Sequence, residues 1–417
     1  MKVTFKSVFA AGLVLLLLSS CSRTEIKDTA RERLRGTVKL EQVNTGIPVV
    51  HINTAGGVPI TTKGGAYINA DITITDPNNA DNNIETTTGI RGRGNTTWTH
   101  PKKPYRLKFD EKISLFGLEK AKSWVLLANY QDPTLIMNTV AFELGHRFGL
   151  PFTNHYNHVE VILNGVYQGS YVLTEQVQVN KGRVDIDEKT GFFLELDRYY
   201  DDEPKFRSAI LGLPVMIKSP EGLSGQSSYA FIIDAVNELE AALFADSFPN
   251  NNYRDLIDID IFIDYVMINE ILKNVDLQMP GSVYMYRDGT EGARIGMGPL
   301  WDFDYGFNGA GEYFKDATGM FYNTVYREGP GGKFFNRFFE DPDFRVMYKA
   351  RWNEKYADIA SMESFIEKMG PMLEKSSDLN SKVWWWNKVN YLEEIGKMKT
   401  WWKNRVEYLN TEINQNF

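Results

Sequence analysis

Gly298-Pro299-Leu300-Trp301-Asp302-Phe303-Asp304-Tyr305-Gly306 sets two carboxylates, at i and i+2, in strongly apolar surroundings. A buried carboxylate is costly unless it is paired or bound to a metal. Oxygen donors of this kind suit Mg²⁺ or Mn²⁺. The plainer reading is a structural Asp capping a turn. Upstream, residues 258–274 read as a strongly apolar helix, followed by Asn274-Val275-Asp276 and then a strand from Val283 to Arg287. A loop between two rigid elements is a good platform for a catalytic base. Asp276 could equally be a helix-terminal Asp without a role, although the helix dipole would then disfavour it.

Two more segments carry charge in suggestive places. Arg91-Gly92-Arg93-Gly94-Asn95-Thr96-Thr97-Trp98 precedes Lys102-Lys103-Pro104-Tyr105-Arg106. Glycines let backbone N–H groups approach an anion, and the nearby Arg and Lys side chains neutralise it. The segment is not a Walker A loop, because no GxxxxGK[ST] occurs. A tight turn with solvated arginines is the alternative. Glu175-Gln176 follows the strand residues Tyr171 to Leu173, where a carboxylate could pair with Lys103, as in sites that aim a lysine at nucleotide phosphates. An exposed Glu opening a loop is the alternative there. His155 and His158 form an H-x-x-H without companion ligands, so a packed or solvated role is expected rather than zinc.

With 417 residues the chain is long enough for two or three domains or one large bilobal unit. A formal charge of −8 argues against nucleic acid as a partner. Hydrophobic content of 43% excludes bulk disorder, and a single Cys excludes a disulfide framework or a multi-Cys metal site. That Cys sits in a telling place. Lys2 and Lys6 precede an apolar run from Val8 to Leu18, and Leu18-Ser19-Ser20-Cys21 follows. The run is shorter than the roughly 20 residues of a transmembrane helix but suits a signal peptide. The tetrapeptide resembles a bacterial lipobox. The expectation is a lipoprotein signal over residues 1–20, lipidation of Cys21, a polar tether over 21–36 and a folded domain over 37–417. A plain signal peptide with an incidental Cys is the alternative.

Along that domain, Val49 to Ile52, Ala70 to Thr75, Tyr105 to Phe109 and Trp124 to Ala128 read as strands. Asp132-Pro133 reads as a helix start, with Leu135, Ile136, Val140, Leu144 and Phe148 on one face and Gly149 as the stop. Asn164-Gly165 between two apolar runs predicts a hairpin with a type I′ turn. Residues 191–196 read as a strand and 228–245 as a helix. From about Asp341 the chain reads as helical and rich in Trp. Those tryptophans could offer a sugar platform, but helical spacing favours core. A β-rich first half and a helical second half predict an α+β chain with two lobes.

Taken together, RGRGNTTW, KKPYRLKF, WVLLANYQDPTLIMN, NGVYQGSYVLTEQV, the Asp276 loop ending in SVYMYRD, and GPLWDFDYGFNG resemble the spore-coat protein H (CotH) kinase family over roughly residues 46–330. The helical, Trp-rich part 341–417 lies beyond that stretch. The resemblance implies an atypical protein-kinase-like bilobal fold. It implies binding of ATP with Mg²⁺ or Mn²⁺, and phosphoryl transfer to Ser or Thr of secreted or surface proteins. Lys103 then matches the phosphate-anchoring lysine and Glu175 its ion-pair partner. Asp276 matches the catalytic aspartate and Asp302 the metal ligand, whose Asp-Phe-Asp order is similar to the kinase Asp-Phe-Gly element. Arg91, Arg93, Gly94 and Asn95 fall in the loop over the phosphates, and residues 191–197 in the strand entering the adenine-contacting hinge. Two positions depart from the pattern. Met137 stands where the family often has Arg, and Ser282 where many members carry Asn as second metal ligand. The expected setting is a lipid-anchored, extracytoplasmic protein of the bacterial cell envelope. A surface module that binds glycan or protein without turnover is the alternative function.

Overall fold

The computed structural model describes residues 38–201, 203–222, 229–309, 311–320, 328–384 and 390–417. The expected signal peptide, Cys21 and tether lie outside the described residues, and among the described residues no helix is long and apolar enough to cross a membrane.

Seven strands form the first half: β1 (Val49–Thr54), β2 (Ile68–Thr75), β3 (Ile84–Gly92), β4 (Tyr105–Ile113), β5 (Ala121–Leu127), β6 (Tyr156–Leu163) and β7 (Val166–Glu175). They close into a barrel in the order β1-β2-β3-β4-β5-β7-β6, with β6 lying parallel to β1. Strand alternation explains its contents. Tyr105, Leu107 and Phe109 of β4 point inward with Trp124 and Leu126 of β5 and Tyr171 and Leu173 of β7. The opposite parity, Val125, Leu127 and Val172, points outward into the larger core shared with the helices. The hairpin forms as the sequence predicts, with Asn164 at φ 51° and Gly165 at φ 73°. The Asn164 side chain also accepts a hydrogen bond from the Thr54 amide at 2.8 Å, tying the turn to β1.

A second sheet follows, built from β8 (Phe192–Leu196), β9 (Lys205–Arg207), β10 (Pro214–Ser219), β11 (Val283–Arg287) and β12 (Gly296–Met297) in the order β12-β11-β8-β10-β9. Its β8 is the strand expected over 191–196.

The helices are α1 (Thr96–Thr99), α2 (Met137–Phe148), α3 (Ala230–Phe244), α4 (Tyr253–Leu256), α5 (Ile259–Ile271), α6 (Pro330–Phe338), α7 (Pro342–Val383) and α8 (Tyr391–Asn416). Two starts and stops differ from the sequence reading. The helix expected from Pro133 begins at Met137, because Leu135 adopts φ 61° and no helix runs through that conformation. Asp132 still caps it from a distance: its carboxylate accepts the Thr134 and Met137 amides, each at 2.7 Å. The helix expected over 258–274 is α5, capped by Asp258 on the Ile261 amide at 3.1 Å, and it ends before Lys273, which sits at φ 44°. Asp276 therefore lies off the helix in a separate turn, Val275–Leu277, and escapes the unfavourable dipole.

The architecture is thus α+β, β-rich first and helical second, as the sequence implies. Barrel closure is an addition. Trp384, Trp401 and Trp402 are buried, so the core reading of the C-terminal tryptophans holds for these. Trp385 and Trp386 lie outside the described residues. Arg405 of α8 is fully buried and donates to the Glu270 carboxylate at 2.6 Å and to the Glu270, Ile271, Ala317 and Gly319 carbonyls. The last helix is thereby riveted to the end of α5, next to the Asp276 turn.

Candidate functional site

A cavity of about 550 Å³ opens where three parts of the fold meet. The barrel supplies Arg91, Arg93, Gly94 and Asn95 from the end of β3, and Arg106 from β4. The second sheet supplies Glu195, Asp197, Lys218 and Tyr284. The loops after α5 and β12 supply Asp276, Ser282, Trp301, Asp302 and Asp304. The acidic segments and the Gly/Arg segment, nearly two hundred residues apart in sequence, therefore face one space.

Asp302 adopts φ 66°, the left-handed region, and a short turn, Phe303–Tyr305, follows it. The Asn138 side chain of α2 fixes this turn by accepting the Phe303 amide at 2.7 Å. The arrangement brings Asp302 and Asp304 against each other. Burial raises both carboxyls above the usual range, and neighbouring carboxylates add to it: Asp304 and Asp276 for Asp302, Asp132 and Asp276 for Asp304. Arg93 opposes the shift at Asp302, with its guanidinium over the Trp301 ring at 5.4 Å. Asp276 is raised by burial and lowered in part by Arg198, whose Nη1 donates to it at 2.8 Å.

This crowding of acids is what a divalent cation would relieve. Among the described residues no set of three or more His, Cys, Asp or Glu side chains is arranged to hold a metal ion. A hard divalent cation bound by one or two carboxylates would need its remaining oxygen donors from water or a ligand rather than from an all-protein cage. Asp302 and Asp304 are the residues that would hold it. Ser282 lines the same cavity at φ 53°, its amide fixed by the Asp197 carboxylate at 3.0 Å.

The second sheet forms a polar wall. Glu195 accepts the Tyr284 hydroxyl at 2.8 Å and Lys218 at 3.0 Å. Asp197, pushed up to about 6 by burial, also accepts the Tyr199 amide at 2.8 Å. At the mouth, Thr96 meets the Tyr199 hydroxyl and Asn95 meets Asp201 at 3.4 Å, so the Gly/Arg loop touches the segment after β8. Gly92 is needed here because a Cβ would overlap the Trp98 ring.

The expected Lys103–Glu175 pair is not what the structure holds. Lys103 lies ahead of β4 and donates to the Trp98 carbonyl at 2.7 Å, with its ammonium 5.1 Å from the Trp98 ring centre. Glu175 shares parity with the barrel-facing Tyr171 and Leu173, and it is held by the His155 ring and amide at 2.8 and 2.9 Å. Neither side chain lines the cavity, whereas Gln176, one residue on, does. His158 is buried and bonded to Thr139 at 2.9 Å, a packed role as expected. Met137 is buried in the core.

The sequence reading gave Arg198 no role and placed the others only by segment: Asp304 with Asp302 as a carboxylate pair, Arg106 in the basic segment, and Glu195 and Asp197 in the strand expected at the hinge. Asp304 was visible as the second acid of its motif, and Arg106 as a charge between two barrel-facing residues. Arg198 had no local signal, since its partner is 78 residues away.

No curated protein matches the chain. The family model described as CotH kinase protein matches residues 90–415. The match begins in β3 and runs into α8, so the C-terminal helices that the sequence resemblance left aside are part of it. Covering most of the sequence, it shows that the chain belongs to the CotH kinase family.

Proposed function

We propose that the cavity binds ATP and that the protein transfers its γ-phosphoryl group to a Ser or Thr hydroxyl of a secreted or surface protein. The observation that carries this reading is that three acids, Asp276, Asp302 and Asp304, line one cavity together with the cationic Arg91, Arg93 and Arg106. Phosphoryl transfer needs positioning and charge neutralisation more than covalent chemistry. Mg²⁺ or Mn²⁺, held by Asp302 and Asp304, would supply charge neutralisation at the phosphates. Ser282 would add a weak oxygen donor. Arg93 and Asn95 would cover the phosphates. Asp276 would accept the proton of the acceptor hydroxyl as its oxygen bonds to the γ-phosphorus and the bond to the bridging oxygen breaks, releasing ADP. In the same reading, lipid on Cys21 anchors the domain at the outside of a bacterial cell membrane, near its acceptors.

The test is radiolabel transfer from ATP to Ser-rich secreted proteins, with Mg²⁺ or Mn²⁺, by the full-length chain. Transfer that disappears in both Asp302→Ala and Asp276→Asn supports the reading. Transfer that persists in either variant, or none by the unaltered protein with any metal, overturns it.

A further inference from the structure

We propose that Arg106 is the cation that anchors the polyphosphate, in the place that sequence comparison gives to Lys103; this rests on the phosphoryl-transfer reading of the cavity. The argument begins with β4. Tyr105 and Leu107 are packed inside the barrel, so Arg106 between them must point to the other face. There it lines the cavity, which Lys103 does not.

Arg106 also sits directly opposite Arg91 in the β3–β4 ladder. Like charges facing each other across a strand pair are destabilising unless something offsets them. The other cations of the cavity are already engaged. Arg91 donates to the Gly65 carbonyl at 2.9 Å and lies 4.5 Å from the Tyr67 ring centre. Arg93 lies over Trp301 beside Asp302. Lys218 is bonded to Glu195 and Glu203. Lys63 is bonded to Asn95.

Arg106 is different. Among the described residues its one hydrogen bond is a long one, from Nη2 to Ser123 Oγ at 3.4 Å. Its Nε is buried with no partner. Burial lowers its affinity for a proton; Tyr67 pulls against that fall, Arg91 and Arg93 add to it, and Glu221 opposes it least. A guanidinium with unspent donors, lining the same cavity as two others from the barrel side, matches a multiply charged anion. Its planar fork suits two phosphate oxygens at once.

The experiment is equilibrium binding of inorganic tripolyphosphate, ATP and adenosine, each with Mn²⁺, to the full-length chain and to Arg106→Gln, Arg106→Lys and Lys103→Gln. Thermal unfolding of each variant checks its fold. The expected result for Arg106→Gln is about thirtyfold weaker binding of tripolyphosphate and ATP, as for loss of a charge-assisted hydrogen bond, with adenosine affinity unchanged. The expected loss for Lys103→Gln is less than about threefold, since Lys103 serves the Trp98 carbonyl. Wild-type tripolyphosphate affinity in Arg106→Gln, or an equal or greater loss in Lys103→Gln, overturns the proposal. If Arg106→Gln does not fold, Arg106→Lys decides. A loss of about fivefold, from the missing second hydrogen bond, supports the anchor, and unchanged affinity overturns it. Failure of the nucleotide reading looks different. A wild-type protein that binds tripolyphosphate through Arg106, yet binds ATP no more tightly and ignores adenosine, keeps the anchor and loses the kinase. One that binds none of the three loses both.

Discussion

Arg198, just past the end of β8, donates to the Asp276 carboxylate at 2.8 Å and to the Met279 carbonyl at 3.1 Å. The candidate base is thus steadied by a residue from the second sheet. Burial raises the Asp276 pKa, and Arg198 is the group that opposes the rise. Removing Arg198 lets it climb further, so the base is unprotonated only at higher pH. In Arg198→Ala the acid limb of the pH–rate profile for transfer should move upward. The rate near neutrality should fall about tenfold, a modest share of what general-base catalysis provides. An acid limb that stays in place or moves down would rule out this role.

The Asp302–Asp304 pair carries a stability signature. Both carboxyls are raised, first by burial and then by neighbouring acids. A carboxyl whose folded pKa exceeds its unfolded value, about 4, favours folding while protonated. That contribution is lost as pH climbs through the raised value. Asp302→Asn should therefore unfold about 2 °C higher than the wild type at pH 8 without metal. The same variant should lose the stabilisation that Mn²⁺ gives the wild type. Scanning calorimetry with and without Mn²⁺ checks both, and equal metal responses in the two proteins would remove Asp302 from the metal site.

Lys102, next to the residue the sequence favoured, is fully buried between the barrel and α7. It is bonded to the Ser170 carbonyl and to Asn380 Oδ1 at 2.9 Å, and lies 4.6 Å from the Tyr171 ring centre. Burial lowers its pKa to about 7. The unfolded chain, with a lysine near about 10.4, then binds more protons than the folded one above neutrality. Stability from this group rises with pH across that window. Lys102→Met should flatten the rise, which urea denaturation at pH 7 and pH 9 will read. A variant with the wild-type pH dependence would show that Lys102 stays charged.

Arg405 and Glu270 form a buried pair, with both side chains within 2% of full burial. Removing one partner strands the other charge, so Arg405→Met should cost about 3–5 kcal/mol in urea denaturation. Adding Glu270→Leu should recover part of the loss, because the stranded carboxylate is gone. A double variant no better than the single one would place the cost in the carbonyls that Arg405 also serves.

What the sequence could reveal follows from range. The Asn164-Gly165 turn, the apolar helix over 258–274 and the alternation of β4 are set by neighbours in the chain, and all were legible. The carboxylates of the Asp302 segment were legible as chemistry, since acids among Trp301, Phe303 and Tyr305 need a reason to be there. Closure of the barrel was not, because it rests on Val49 to Ile52 pairing with residues 160–163, more than a hundred positions away. Adjacent lysines were the hardest case. Lys102 and Lys103 read alike, and only the packing of α7 shows which is buried. The Lys103–Glu175 pairing failed for a related reason. The parity of β7 sends Glu175 toward His155, and no composition argument contains that register.

The ring of seven strands also constrains how an acceptor protein would be gripped if the proposed reaction holds. A sheet closed on itself offers no bare ladder of N–H and C=O groups for a peptide to extend. The outer strands of the second sheet, β9 and β12, are only three and two residues long. Under the proposed transfer reaction, an extended acceptor would find little edge-strand backbone to pair with on either sheet, which places its selection on side chains around the hydroxyl. Under that proposal, such a grip would read a few residues and ignore the rest, so a short sequence repeated along one chain would be accepted at each copy.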